Sequence, residues 1–200
     1  MTNKNSVRLL KEDIDKPCKE LSLYLLGKIL VRKLEDDTIL KGRIVETESY
    51  PGGEDRGEPL QMNLCICLLG HVSVYMTYGM YYCFNISSTE PGASVLVRAL
   101  EPICGLEAME SFRAQKAKKK KVLKSPELAN GPSKLCMAMN ITKDKQNKLD
   151  LTDLQNDQMW LEDDPEFDDT KIKVVHTTRN ESVSKRDKKA EKDLDPSLDD

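Results

Sequence analysis

The stretch ILVRKLEDDTILKGRIVETESY, residues 29–50, decides the fold. Two runs rich in apolar and β-branched residues, 29–34 and 38–50, are joined through Glu35-Asp36-Asp37, the pattern of a long β-hairpin that Pro51-Gly52-Gly53 ends. Upstream, Asp15 is placed to cap a helix over 16–26, with Pro17 in its first turn, Cys18, Leu21 and Leu25 on one face and Gly27 as its stop. Downstream, 72–76 and 81–86 form a second hairpin around Thr77-Tyr78-Gly79-Met80, and 93–99 returns as a further strand after the Pro91-Gly92 turn. Pro102 then reads as the start of a helix running to Gln115, with Ile103, Leu106, Met109 and Phe112 or Arg113 spaced for burial, and a second short helix starts at Gly131-Pro132-Ser133-Lys134. The fold class is α+β: a single domain over 1–162, with a curved, mostly antiparallel β-sheet, a protruding β-hairpin and flanking helices. Residues 163–200 are charged, poor in apolar side chains, and expected to form a disordered tail.

At 200 residues the chain suits one core, and no apolar run approaches the roughly 20 residues a membrane-spanning helix needs. The N-terminal residues lack an apolar signal segment, so an intracellular protein is expected. The net charge of −3 divides into +4 over 1–150 and −7 over 151–200, so only the first part can hold phosphates unaided. Six cysteines, Cys18, Cys65, Cys67, Cys83, Cys104 and Cys136, show neither C-x-x-C nor paired-histidine spacing. They read as small buried apolar thiols, with no metal and no disulfide framework.

Two segments carry residues suited to chemistry. In Gly42-Arg43-Ile44-Val45-Glu46-Thr47-Glu48-Ser49-Tyr50, strand alternation puts Ile44, Glu46, Glu48 and Tyr50 on one face. A carboxylate beside a phenol could activate water next to a stacked base, although the same pattern fits a solvated glutamate on a half-buried strand. Residues 74–85 hold four of the six tyrosines. Tyr78, beside the turn glycine, sits where an exposed ring would suit a wedge between base pairs, while its neighbours could equally fill core. Asn85 and Arg98 fall on neighbouring strands, placed either to read a base edge and orient a carboxylate or to make ordinary sheet hydrogen bonds. Gly131-Pro132-Ser133-Lys134 offers a phosphate seat or plain helix capping, and Lys116 with Lys118 to Lys121 a backbone-tracking run or a solvated loop.

The blocks GRIVETESY (42–50), VYMTYGMYYCFNISS (74–88), VLVRALEP (95–102), GLEAMESFR (105–113) and NGPSKLCMAMNI (130–141) closely resemble the alkyladenine (3-methyladenine, methylpurine) DNA glycosylase family, in the family's order. The resemblance implies a monofunctional enzyme that flips an alkylated or deaminated purine from duplex DNA and hydrolyses its N-glycosidic bond. In that reading Glu48 is the general base and Arg98 helps hold the attacking water. Tyr50 and Tyr75 sandwich the flipped base, Tyr78 fills the gap left in the duplex, and Asn85 disfavours guanine through its exocyclic amino group. It implies no cofactor, and a monomer whose partner is double-stranded DNA containing damaged purines. Residence in the nucleus follows from that substrate, with a mitochondrial pool compatible with it.

Two departures from the family stand out. Between Asp55 and Gly70 the family carries a longer loop with a base-contacting histidine and an RTPxxxxMxM-like segment, neither present here; His71 falls after the gap and His176 matches nothing useful. Codons permitted for residues 57–69, read in another frame, can spell RTPTDESMYMPL, which points to a local frame change that sequencing the transcript tests. After Arg179 the chain passes directly into a segment resembling the family's last one, without the RIG and KPLRFY motifs. Loss of that wall of core and pocket predicts weakened folding and low or absent activity.

Overall fold

A computed structural model describes residues 7–52, 68–77, 79–115, 123–164, 167 and 173–177. The chain forms two compact units, 1–167 and 168–200; of the second only 173–177 are described, exposed and without regular secondary structure. The first unit holds α1 (Lys11–Ile14), α2 (Cys18–Tyr24), β1 (Ile29–Lys33), β2 (Ile39–Tyr50), β3 (Val72–Thr77), β4 (Tyr81–Ser87), β5 (Ser94–Cys104), α3 (Leu106–Gln115), a 3₁₀ turn (Ser125–Glu127), α4 (Pro132–Ala138), α5 (Lys143–Gln146) and β6 (Met159–Glu162). The strands form one antiparallel sheet in the order β3-β4-β5-β2-β1-β6, curled so that one face closes on the core. The architecture is α+β, as the hairpin patterns imply.

The core follows from two-residue alternation. Val72 and Val74 of β3, Phe84 and Ile86 of β4, and Val95 and Val97 of β5 line one face, and Leu21 and Leu25 of α2 with Leu135 and Met139 at α4 pack against it. Each such side chain contributes roughly 1.5–3 kcal/mol by leaving water.

Several local expectations are corrected. Helix α2 starts at Cys18 rather than Lys16, and its first amide is capped not by Asp15 but by the carboxylate of Glu90, whose Oε2 accepts from the Cys18 N–H at 2.6 Å. Pro102 does not open a helix; it lies inside β5, paired with Gly42 beside a register shift. It is tolerated because the described β4 ladder ends at Leu96, so this part of β5 is a sheet edge where no amide is required of residue 102. Gly105, at φ +78°, turns the chain from strand to helix, and Ile103 is consequently 40% exposed instead of facing the core. Cys18 and Cys136 are buried thiols as expected, but Cys83 is only partly buried and Cys104 is exposed at the strand end.

Candidate active site

The pairing of β2 with β5 builds the site. Register runs evenly from Tyr50↔Ser94 to Thr47↔Val97, then shifts on both sides of Glu46. These two irregularities break the alternation, so Ile44 pairs with Leu100 and is 1% exposed in the core, while Glu46, Glu48 and Tyr50 stay together on the opposite face. The expectation that Ile44 shares their face is therefore corrected. At the shift between Glu46 and Thr47, Arg98 is left unopposed on β5, and the bulge aims its side chain at the two glutamates.

The resulting contacts are specific. Arg98 Nη1 donates to Glu48 Oε2 at 2.5 Å and Arg98 Nε to Glu46 Oε1 at 3.0 Å, while the Tyr50 hydroxyl donates to Glu48 Oε1 at 2.9 Å. Burial works against the Arg98 charge, but its two carboxylates outweigh it and hold the guanidinium's pKa above the ordinary value. Glu48, 21% exposed, thus accepts from Arg98 on one oxygen and from Tyr50 on the other.

Tyr75 sits on β3 opposite Cys83 of β4. Burial pushes its phenol pKa well up, and Cys83, Tyr50 and Glu48 add to the rise, so the ring lies in the electrostatic reach of the Glu48 group although β3 and β2 are three strands apart in the sheet order. The curl of the sheet brings them near. Asn85 occupies the same cross-strand row as Glu48, through Leu96, and is 0% exposed. Its Nδ2 donates to the Ser73 carbonyl at 3.3 Å, and its Oδ1 is buried with no hydrogen-bond partner.

The structure therefore gathers Glu48, Arg98, Tyr50 and Tyr75 and puts Asn85 in the same row, fully enclosed. Tyr78 lies outside the described residues; of its neighbours, Met80 donates its N–H to the Thr77 carbonyl at 3.2 Å. Next to it Met80 and Tyr81 are exposed apolar side chains. The altered loop at 57–69 and Lys116 with Lys118 to Lys121 fall outside the described residues save for Leu68 and Leu69. Lys134 Nζ donates to Asn130 Oδ1 at 2.8 Å, and α4 begins at Pro132 with no side-chain cap on its first turn. Sequence reasoning missed Glu46 as the second anchor of Arg98, and Cys83, whose thiol contacts Tyr75 and lies 3.5 Å from Thr77 Oγ1. Glu46 was legible only as a face-mate of Glu48; Cys83 gave no signal beyond its place in the tyrosine cluster. Among the described residues no cluster of three or more His, Cys, Asp or Glu could hold a metal.

This arrangement can polarise a water beside aromatic rings, the parts needed for hydrolysis next to a stacked base. Comparisons with known proteins bear on that chemistry. The family model for methylpurine-DNA glycosylase matches residues 12–188. The chain is 43% identical over 185 residues to the DNA-3-methyladenine glycosylase of Mus musculus, covering 88% of this chain and 54% of the mouse protein. It is 45% identical over 168 residues to the Homo sapiens DNA-3-methyladenine glycosylase, covering 79% and 55%. With a probable DNA-3-methyladenine glycosylase of Encephalitozoon cuniculi it shares 43% identity over 167 residues, covering 80% and 76%. The chain thus spans about half the length of the two mammalian relatives.

Proposed function

Because the chain belongs to the methylpurine-DNA glycosylase family, we propose that it initiates base excision repair by releasing damaged purines from double-stranded DNA. The substrates in this reading are alkylated or deaminated purines: 3-methyladenine, 7-methylguanine, hypoxanthine and ethenoadenine. The observation that carries it is the Glu48 carboxylate, held between Arg98 and the Tyr50 hydroxyl, with the Tyr75 phenol within its electrostatic reach.

The mechanism follows from those contacts. The damaged purine is everted and its face is offered to the rings of Tyr50 and Tyr75; a base alkylated at N3 or N7 is cationic and gains about 0.5–2 kcal/mol from electron-rich rings. Eversion costs a few kcal/mol, least for a poorly paired base, so selection begins before any bond breaks. Tyr78 at the hairpin tip fills the space left in the duplex. As the N-glycosidic bond lengthens, positive charge builds on the sugar, and water attacks its anomeric carbon while passing a proton to the Glu48 carboxylate. Arg98 fixes the carboxylate and the water, and the purine leaves with the bond's electron pair. Attack by water requires no lysine nucleophile, so in this reading the product is an abasic site on an uncut strand. No cofactor is used, the chain acts as a monomer, and nuclear residence is proposed from the substrate alone.

Base release from duplexes carrying hypoxanthine or ethenoadenine tests this, with Glu48→Gln as control: release by the parent that the substitution abolishes supports it, and release indifferent to it rejects the mechanism. One observation favours a second reading, binding without turnover. Asn85 is fully enclosed, so its amide reaches a base edge only after its surroundings part. In that case the parent binds lesion-bearing duplex more tightly than intact duplex and releases no base.

A further inference from the structure

Arg32 of β1 is one of three described arginines, with Arg8 and Arg113, whose buried Nε has no hydrogen-bond partner. It pairs across the sheet with Leu40 of β2 and Met159 of β6 and is only 4% exposed. Other partly buried cations on these strands have carboxylates: Arg43 has Glu101 and Asp164, Lys41 has Glu162, Arg98 has Glu46 and Glu48. Arg32 has two backbone carbonyls, Lys33 O at 2.5 Å and Gln158 O at 3.0 Å, both on Nη1. Its Nε is buried with no acceptor. The Nε–Nη2 edge, the side of the fork that matches two oxygens of an oxyanion, is therefore the edge that no described protein group occupies. A buried charge is unfavourable unless it is paired, and Glu35, the one carboxylate whose charge acts on Arg32, makes no hydrogen bond to it. Burial depresses the Arg32 pKa, with Glu35 alone opposing the effect.

The same side chain lines two adjoining clefts, of about 520 and 260 Å³, both also lined by Lys145, with Lys33 on the larger. Lys33 and Lys145 are flexible, partly exposed cations, held by Asp37 with Asp157 and by Glu35, all strongly exposed carboxylates that can be displaced. Leu40, the β2 partner of Arg32, is eight residues from Glu48, roughly 26 Å along an extended strand, so this place is separate from the candidate active site.

We propose that the cleft at the β1–β2 turn is a binding site for a small tetrahedral oxyanion, phosphate or sulfate, that meets the unpartnered Nη2 of Arg32 and draws the enclosed Nε onto it, with Lys33 and Lys145 turned onto the ion. The acidic rim of Glu35, Asp37 and Asp157 disfavours a polyanionic strand and admits a single small ion.

Equilibrium binding of ³²P-labelled inorganic phosphate, at ionic strength held constant with chloride, tests the site. One saturable site is expected on the parent chain. Arg32→Lys, which keeps charge and loses the fork, weakens it at least about tenfold; Lys145→Ala weakens it by less, and Glu35→Gln tightens it by removing a competing carboxylate. Undamaged duplex DNA in excess leaves it unchanged. Absence of saturable binding in both the parent and Glu35→Gln overturns the proposal, as does binding indifferent to Arg32→Lys. Displacement by duplex overturns it in favour of a backbone-phosphate contact. Should Arg32→Lys fail to fold by circular dichroism, opposite shifts in the Lys145→Ala and Glu35→Gln affinities sustain the site, and equal affinities reject it.

Discussion

Replacing Arg98 by methionine removes the cation from between Glu46 and Glu48 while keeping much of the stem's volume. Glu48 is 21% and Arg98 34% exposed, so the Arg98–Glu48 bond lies between a protected charge-assisted hydrogen bond, about 1.5–3 kcal/mol, and an exposed ion pair, about 0.2–1 kcal/mol. Solvent screening discounts the upper figure, and the more exposed Glu46 contact adds little. The expected loss of stability is about 1–2 kcal/mol, which for a chain of this size lowers Tm by roughly 2–8 °C. The effect on chemistry is larger, because a carboxylate free to rotate misplaces its water: about 10²-fold in single-turnover release of hypoxanthine from duplex DNA. Thermal unfolding and quenched base-release assays measure the two quantities separately. Adding Glu46→Gln to Arg98→Met should restore part of the stability, since the repulsion between the two neighbouring carboxylates is relieved, without restoring the rate. A variant that releases base at the parent rate, with Glu48→Gln inactive in parallel, refutes the claim that Arg98 aligns the base.

Tyr50→Phe keeps the ring but removes the donor to Glu48 Oε1, so release should slow by less than about tenfold with duplex affinity retained, a split seen by comparing single-turnover rate with binding. Thr152→Val tests a pH dependence: burial works against the Asp150 charge, but the Thr152 amide and hydroxyl, 2.8 and 2.6 Å from its Oδ1, together with His71 hold its pKa below the usual carboxylate value. That stabilisation is fully present above the unfolded-state value near 3.9 and fades as pH falls through the lower folded value, so the variant should be less stable by about 1 kcal/mol in urea at pH 7 and converge on the parent in strong acid. Gly105→Ala forces a side chain at φ +78° with its Cβ 2.8 Å from the Ile39 carbonyl, and should cost about 2 kcal/mol or more, read as a drop in Tm.

The two hairpins and the returning strand were legible because runs of apolar and β-branched residues are bounded by turn residues, Glu35-Asp36-Asp37, Gly79 and Pro91-Gly92. What defeated the pattern was irregularity held by distant partners. Ile44 changes face because two register shifts flank Glu46, and no local preference announces a bulge whose reason is to aim Arg98. Pro102 carries a helix-start signal, yet the strand continues because no amide is needed at that edge. The α2 cap comes from Glu90, 72 residues away, where sequence-local logic finds Asp15. At the site, Glu48, Arg98, Tyr50 and Tyr75 could be named from the resemblance of their blocks, but the Arg98 fork between two glutamates is a product of the bulge. The enclosure of Asn85 and of Arg32 depends on neighbours that a strand pattern does not specify; β6, beside Arg32, comes from the four-residue run Met159–Glu162, too short to signal itself.

The most direct measurement is the structure of the Glu48→Gln chain bound to a duplex containing one ethenoadenine. The lesion is expected outside the helix, its ring between Tyr50 and Tyr75, with the sugar's anomeric carbon facing residue 48. An ethenoadenine still stacked in the duplex, or everted against some other surface of the protein, contradicts the account.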